Sequence, residues 1–387
     1  RRRRLSGPVR EQRMGPLHGI KIVEIAGIGP TQLCGMLLAD MGAQIIRLRR
    51  PVAPDAGVEV PDRFNLMNRG RPSIDVDLKS DSGRELVLQL CEKADALFEG
   101  FRPGVMERLG LGPDACMARN ECLVYGRMTG WGQDGPLAGR AGHDTNYIAM
   151  AGALHGIGHA DRPPPLPLNL IGDFGGGALY LALGLLAALL EAGRSKRGQV
   201  VDAAMVDGTA SMLTLFYGLM AGGLWTERRQ SNLLDGGAPF ARCYATRDDG
   251  FIAVCALETG FFANLLEALS IDDIDPVDQY DTDKWPAQAE VLANAFRGKT
   301  RDEWSEILGG VDACATPVLT LSEAAAHEHG KVRGTYVDIG GIRQPGPAPR
   351  FSRTASEARA APTDSADSAR RIMLEWGLDE EEIKQLL

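Results

Sequence analysis

Short apolar runs alternate with helical segments through the first third of this chain, and that alternation sets the fold class. Ile20–Ala26 reads as a strand, and Gly27-Ile28-Gly29-Pro30 follows it. An apolar helical segment then runs to about Met41, with Pro30 in its first turn, where a missing amide costs nothing. Gln44–Leu48 and Ile74–Leu78 are further strands. Ser80–Lys93 is an amphipathic helix with Ser80 as its cap. Ala96–Glu99 and Leu123–Arg127 add two more strands. Such alternation implies an α/β fold, with a Rossmann-like, mostly parallel sheet and helices on both faces. The glycine pair after the first strand is only half a dinucleotide fingerprint and is weak evidence for one.

The remainder reads as a buried helix over Gly176–Glu191, a strand at Gln199–Ala203 and a second long apolar helix from Ala204 to about Gly222. The glycine-rich stretch Asn232–Pro239 punctuates the chain and opens a smaller α+β domain. That domain holds a strand at Phe251–Ala256 and helices near Gly260–Ser270, Trp285–Phe296 and Arg301–Leu308. The expected organisation is an N-terminal disordered extension (1–14), a large domain (15–200), a linker helix region (201–235), a small domain (236–325) and a C-terminal segment (326–387). Residues 353–367 read as flexible, before a helix near Ser368–Trp376 and a capped final helix after Leu378-Asp379.

The charge balance narrows the partners. A net charge of -9 argues against general nucleic-acid binding, but local arginines can still hold an anion. The seven cysteines form no CxxC pair and are irregularly spaced, which disfavours a disulfide framework or a thiolate zinc site. Reduced thiols fit a cytosolic protein. The expected location is cytoplasmic, or mitochondrial or peroxisomal in a eukaryote. The longest apolar run, Ala178–Leu190, is too short to span a membrane, so no membrane insertion is expected.

Two segments carry the chemistry. Gly142-His143-Asp144-Thr145-Asn146-Tyr147 puts an imidazole at the mouth of a helix, and such a position favours a neutral, proton-accepting ring. Further on, Gly172-Asp173-Phe174-Gly175-Gly176-Gly177 puts a carboxylate in a glycine-rich loop, as helix cap or as catalytic group. Partial burial would make it a better base. Glu258 ends an apolar strand, where an acidic group either marks the surface or orients a histidine. Arg49, Arg50, Arg69, Arg71, Lys79, Arg102 and Arg108 follow strands or lie near loops, the place where open α/β sheets bind ligands. Guanidinium groups there suit phosphate.

Together these segments resemble the family III CoA-transferases (CaiB/BaiF type), and within them the alpha-methylacyl-CoA racemase branch. The resemblance spans residues 15–387. It is carried by Val23–Pro30, Asp77-Leu78-Lys79, Glu99–Gly104, Thr129–Gln133, Ala141–Tyr147, Asn169–Gly177 and Asn232–Phe240. It implies that His143 and Asp173 remove and return the alpha proton of a 2-methylacyl-CoA thioester from opposite faces. Glu258 would hydrogen-bond the histidine, and the backbone amide of Asp144 would hold the thioester oxygen as the enolate forms. A preorganised amide of that kind contributes roughly 3–4 kcal/mol. It further implies coenzyme A contacts from Arg50, from Val76, Asp77, Leu78 and Lys79, from Gly100, Phe101 and Arg102, from Arg108, and from Gly142, His143, Asp144, Thr145, Asn146 and Tyr147.

No metal and no separate cofactor is implied, since coenzyme A is part of the substrate. Members of the family form interlocked homodimers with a shared active site, and the C-terminal segment returns to the large domain. Met150 and Met205 are candidates for an apolar wall around the acyl chain. The rival readings are an acyl-CoA:carboxylate CoA-transferase with Asp173 as nucleophile, and a non-catalytic acyl-CoA-binding protein. Thr259-Gly260-Phe261 after the glutamate departs from the family's usual proline and aromatic.

Overall fold

A computed structural model describes residues 15–51, 60–361 and 365–386. The expected N-terminal extension and the centre of the 353–367 stretch lie outside the described residues. Two compact units are present. One contains the described residues up to Ile148, Leu168–Thr209 and those from Glu328 onward; the other contains Ala149–Pro167 and Ala210–His327.

The first unit is built on six strands: β1 (Lys21–Ile25), β2 (Gln44–Arg49), β3 (Ser73–Asp75), β4 (Ala96–Glu99), β5 (Val124–Thr129) and β6 (Val200–Ala204). They lie in the order β3-β2-β1-β4-β5-β6, and every neighbouring pair is parallel. Each strand feeds alternate residues to opposite faces. Val23, Ile46, Leu97 and Tyr125 enter one core, beneath the helices Asp81–Lys93 and Ser365–Glu375. Ile22, Ile45, Phe98 and Val124 enter the other, beneath Pro30–Asp40 and Leu179–Ser195. Burial on both faces is what a parallel sheet requires.

Local signals explain several boundaries. The Ser80 hydroxyl accepts the Gly83 amide at 2.9 Å and caps the helix Asp81–Lys93, whose Leu86, Val87, Leu90 and Cys91 form the buried stripe. β3 is shorter than the expected Ile74–Leu78. The Asp77 carbonyl accepts both the amide and the hydroxyl of Ser80, so the chain turns before Leu78.

Two helices differ from expectation. The central one starts at Leu170 rather than Gly176, as a π-helical stretch Leu170–Ala178 that continues into Leu179–Ser195. The glycines that argue for a loop are needed for contact instead. A Cβ on Gly176 would sit 2.6 Å from the Thr209 hydroxyl, and one on Gly177 would sit 2.8 Å from Met205. The resulting 26-residue helix is the one, among the described residues, long and apolar enough to cross a bilayer, which the 13-residue run did not reveal. Its Leu181 and Leu185 close over Gly126 of β5. The expected helix from Ala204 to Gly222 is two, Met205–Met212 and Thr214–Ala221; the Leu213 amide bonds the Ala210 carbonyl, a tighter turn that breaks the ladder.

The second unit carries an antiparallel sheet of β7 (Ala241–Ala245), β8 (Phe251–Cys255) and β9 (Ala315–Pro317), in that order. The helices Thr259–Leu269, Trp285–Phe296 and Arg301–Leu308 cover it around Phe240, Phe262, Phe296 and Trp304. Thr300 and Glu303 form a capping box at the last of these. The closing segment of the chain packs in the first unit: Ser73 donates its amide to Ser365 Oγ at 2.6 Å, and the Trp376 indole bonds Gln44.

Candidate active site

The strand order reverses between β1 and β4, and the crevice beyond the carboxyl ends of these strands is where such sheets bind ligands. Gly27-Ile28-Gly29 leaves β1 there, and Gly100-Phe101-Arg102 leaves β4. Asp173 reaches the same place from the π-helical turn. Its carboxylate lies so close to Gly29 that a Cβ on that glycine would stand 3.1 Å from Oδ2. Gly29 also holds φ at 60°, a second reason for glycine. Asn169, the residue before the helix, donates from Nδ2 to Asp173 Oδ2 at 3.1 Å.

The loop before the helix Asp144–Met150 is tied from three directions. The His143 amide donates to Asn146 Oδ1 at 3.0 Å, and its carbonyl accepts the Asn146 amide at 2.8 Å. The Tyr147 hydroxyl donates to the Gly142 carbonyl, and its ring meets Trp131 edge-on at 4.7 Å. Gly130 and Gly142 leave no room for a Cβ against that ring. The Asp144 carboxylate is buried and accepts the amides of Gly172 at 2.7 Å and Asp173 at 2.8 Å through Oδ2. One side chain therefore fixes the loop carrying His143 to the turn carrying Asp173. The imidazole stays exposed, and the Asp144 amide is one of the first-turn donors that a helix leaves unpaired.

Residues 17–368 match the sequence profile of CoA-transferase family III. The chain belongs to this family. It is 41% identical over 372 residues to an alpha-methylacyl-CoA racemase of Mus musculus, covering 96% of each chain. It is 39% identical over 382 residues to the Homo sapiens protein of the same name, again covering 96% of each. A crystal structure of a CaiB/BaiF family protein from Brucella suis shares the fold, with a TM-score of 0.78 at 26% identity, covering 94% of this chain and 100% of that one.

The electrostatics of this family III site couple its members. Burial raises the Asp173 carboxyl above the ordinary carboxylate range, and the Asp144 charge adds to the rise; the Asn169 hydrogen bond and His143 oppose it. Burial likewise raises the Tyr147 phenol, with Asp173 adding to the rise and Arg102 opposing it. These mutual influences place His143, Asp144, Tyr147, Asp173 and Arg102 in one neighbourhood. The arrangement gathers two proton-carrying side chains and a first-turn amide donor at one strand-end crevice.

The basic series divides. Arg50 is exposed and its guanidinium stacks on the Phe101 ring at 4.6 Å, so two residues from different strand ends share one surface. Arg102, Arg108, Asp77 and Lys79 are exposed, whereas Val76 and Leu78 are packed in the core and offer only backbone. Arg69 and Arg71 are not available to phosphate. Arg69 is buried against Asp40, and Arg71, fully buried, pairs with Glu24. Arg49 pairs with Asp62 and Asp75. Met205 packs in the core rather than lining an open wall, while Met150 is exposed in the second unit.

Glu258 also belongs to the second unit, exposed at the start of the helix Thr259–Leu269. Gln279 Nε2 donates to the carbonyls of Ala256 at 2.8 Å and Leu257 at 2.9 Å and holds the strand end that presents it. Its charge raises the Tyr280 phenol, after burial. Sequence reasoning missed two groups at the site: Asn169 and the Asp144 side chain. The signal for Asn169 was its spacing, four residues before Asp173.

Proposed function

We propose that this chain is an alpha-methylacyl-CoA racemase that interconverts (2R)- and (2S)-2-methylacyl-CoA thioesters. The observation that carries the reading is the joining of the His143 loop to the Asp173 turn through Asp144, in a chain about 40% identical to two proteins of that name.

One base removes the alpha proton, and the electron pair of the broken C–H bond moves onto the thioester oxygen. The Asp144 amide donates to that oxygen as negative charge grows on it. The second base, as its conjugate acid, returns a proton to the opposite face of the planar enolate. With the other enantiomer the two roles exchange. The raised carboxyl of Asp173 brings it toward the pH at which it serves as both acid and base. Coenzyme A is held by Arg50, Arg102, Arg108, Phe101, the backbone of Val76–Lys79 and the Gly142–Tyr147 loop. No further cofactor takes part.

Glu258 orients the imidazole, and a second copy of the chain supplies it. Exposed apolar side chains support a homodimer. Leu179, Leu183 and Leu190 lie open on one helix of the first unit, and Leu215, Tyr217, Met220 and Leu224 lie open in the second. Exposed apolar faces of this kind mark association surfaces.

Proton NMR of either enantiomer of a 2-methylacyl-CoA in deuterated water tests the activity. Loss of the alpha-proton signal with conversion to a near-equal mixture, in the absence of any acceptor acid, is the expected outcome. Unchanged substrate, with coenzyme A moving to an added carboxylic acid, would replace this reading with a transferase that uses Asp173 as nucleophile.

A further inference from the structure

We propose that Glu99 is a positioning residue for acyl-CoA binding: its carboxylate holds the backbone of Phe101, and through it the Phe101–Arg50 surface, in a binding-competent shape. The inference rests on the acyl-CoA reading above and concerns a residue that the chemistry does not use.

Glu99 ends β4 at the crevice and is wholly shielded from solvent. Its Oε2 accepts the Phe101 amide at 2.6 Å, and its Oε1 accepts Arg127 Nε–H at 3.3 Å. Arg127 is not dedicated to it, since the same guanidinium pairs with Glu107 at 2.8 Å. A buried carboxylate with a shared cation is costly unless something else is gained from it. What it reaches is an exposed loop. Two residues beyond Glu99, the Phe101 ring carries the Arg50 guanidinium, and Gly100 between them is closed off on its other side by Thr31, 2.8 Å from where a Cβ would lie. The loop is thus held from below by one charge-assisted bond and fenced laterally.

Burial pushes the Glu99 carboxyl up to about 7, and the charge of Glu107 adds to the rise; the Phe101 amide and Arg127 oppose it. Tyr125 also faces the group from β5, but its hydroxyl is committed to the Leu111 carbonyl at 2.8 Å. Glu99 therefore changes charge near neutral pH. An ionised acceptor makes a bond about twice as strong as a neutral one, so the anchor of the loop weakens as the carboxyl takes up a proton.

Acetyl-CoA binding to the full-length protein, measured by calorimetry across the neutral range, tests this. Glu99→Gln keeps the size and one acceptor oxygen but cannot ionise. It should bind roughly tenfold more weakly than the native protein near pH 8, the size of one bond to a charged group, with the two converging near pH 6. Taking their ratio removes the titration of the ligand's own phosphates. Glu107→Gln, at a half-exposed site, should move the midpoint of the native profile to lower pH, because it removes a repelling charge and frees Arg127 for Glu99. In alpha-proton exchange, Glu99→Gln should raise KM and leave kcat nearly unchanged. A native-to-variant ratio that is constant with pH would overturn the inference, as would equal affinity near pH 8. Native protein that binds no acetyl-CoA at any pH would instead overturn the acyl-CoA reading, and this inference with it.

Discussion

Asp144 offers the sharpest test of how the site is held together, because its side chain and its main chain do different things. The carboxylate is 5% exposed and is the acceptor for the amides of Gly172 at 2.7 Å and Asp173 at 2.8 Å. Asp144→Ala keeps the backbone amide proposed for the enolate and leaves the buried Gly172 amide and the half-buried Asp173 amide without that partner. At about 1–3 kcal/mol for each, the loss of stability is roughly 2–6 kcal/mol. Asp144→Asn retains one acceptor oxygen and forfeits only the charge, a loss of about 2 kcal/mol over the two bonds. The Asn variant also removes a charge that raises the Asp173 carboxyl. The acid limb of kcat/KM, for the enantiomer whose proton Asp173 takes, should therefore move to lower pH. Urea unfolding followed by circular dichroism reads the first effect, and alpha-deuterium exchange against pH reads the second. Both variants within about 0.5 kcal/mol of the native protein, with an unmoved acid limb, would refute the argument.

Asp173→Asn should end racemisation, and with it alpha-proton exchange of the enantiomer whose proton Asp173 takes, yet raise the thermal midpoint near pH 8. Because burial lifts this carboxyl above its unfolded value, the folded state binds the proton more tightly, and ionisation costs stability as pH rises through that window; the advantage should vanish below about pH 4. Gly29→Ala adds a methyl 3.1 Å from Asp173 Oδ2 at a φ of 60°, so it should cost about 1–3 kcal/mol in denaturant unfolding and lower kcat more than it changes KM. Phe101→Ala removes the ring under Arg50. Steady-state racemisation should show KM raised by roughly two- to fivefold, the size of an exposed cation–π contact of about 0.5–1 kcal/mol, with kcat unchanged.

The parallel sheet was legible because its strands alternate between two cores and because Ser80 caps its helix by local chemistry. Trp285–Phe296, which opens on Pro286, and Arg301–Leu308, which Thr300 caps, were legible to the residue. The π-helical start at Leu170 was not. Its glycines read as a loop because glycine disfavours helix in isolation, and only the packing of Thr209 and Met205 against them shows why no Cβ can stand there. Arg69 and Arg71 looked like phosphate ligands, since their partners Asp40 and Glu24 lie far back in the chain and sequence spacing carries no sign of them. Asp144 was read for its amide alone; the work of its carboxylate depends on a turn nearly thirty residues away.

The return of the closing segment to the first unit has a consequence for how the polypeptide is made. Ser73 waits for Ser365, and Gln44 waits for Glu375 and Trp376. The ribosome therefore exposes β1, β2 and β3 long before the helix that covers their edge exists. Residues 210–327, a compact body with a core of its own, are finished during that delay. Synthesis from the N-terminus usually lets the first body fold first. Here all six strands emerge before residues 210–327, but the helix Ser365–Glu375 that packs on β2 and β3 emerges after them, so the first unit is completed last.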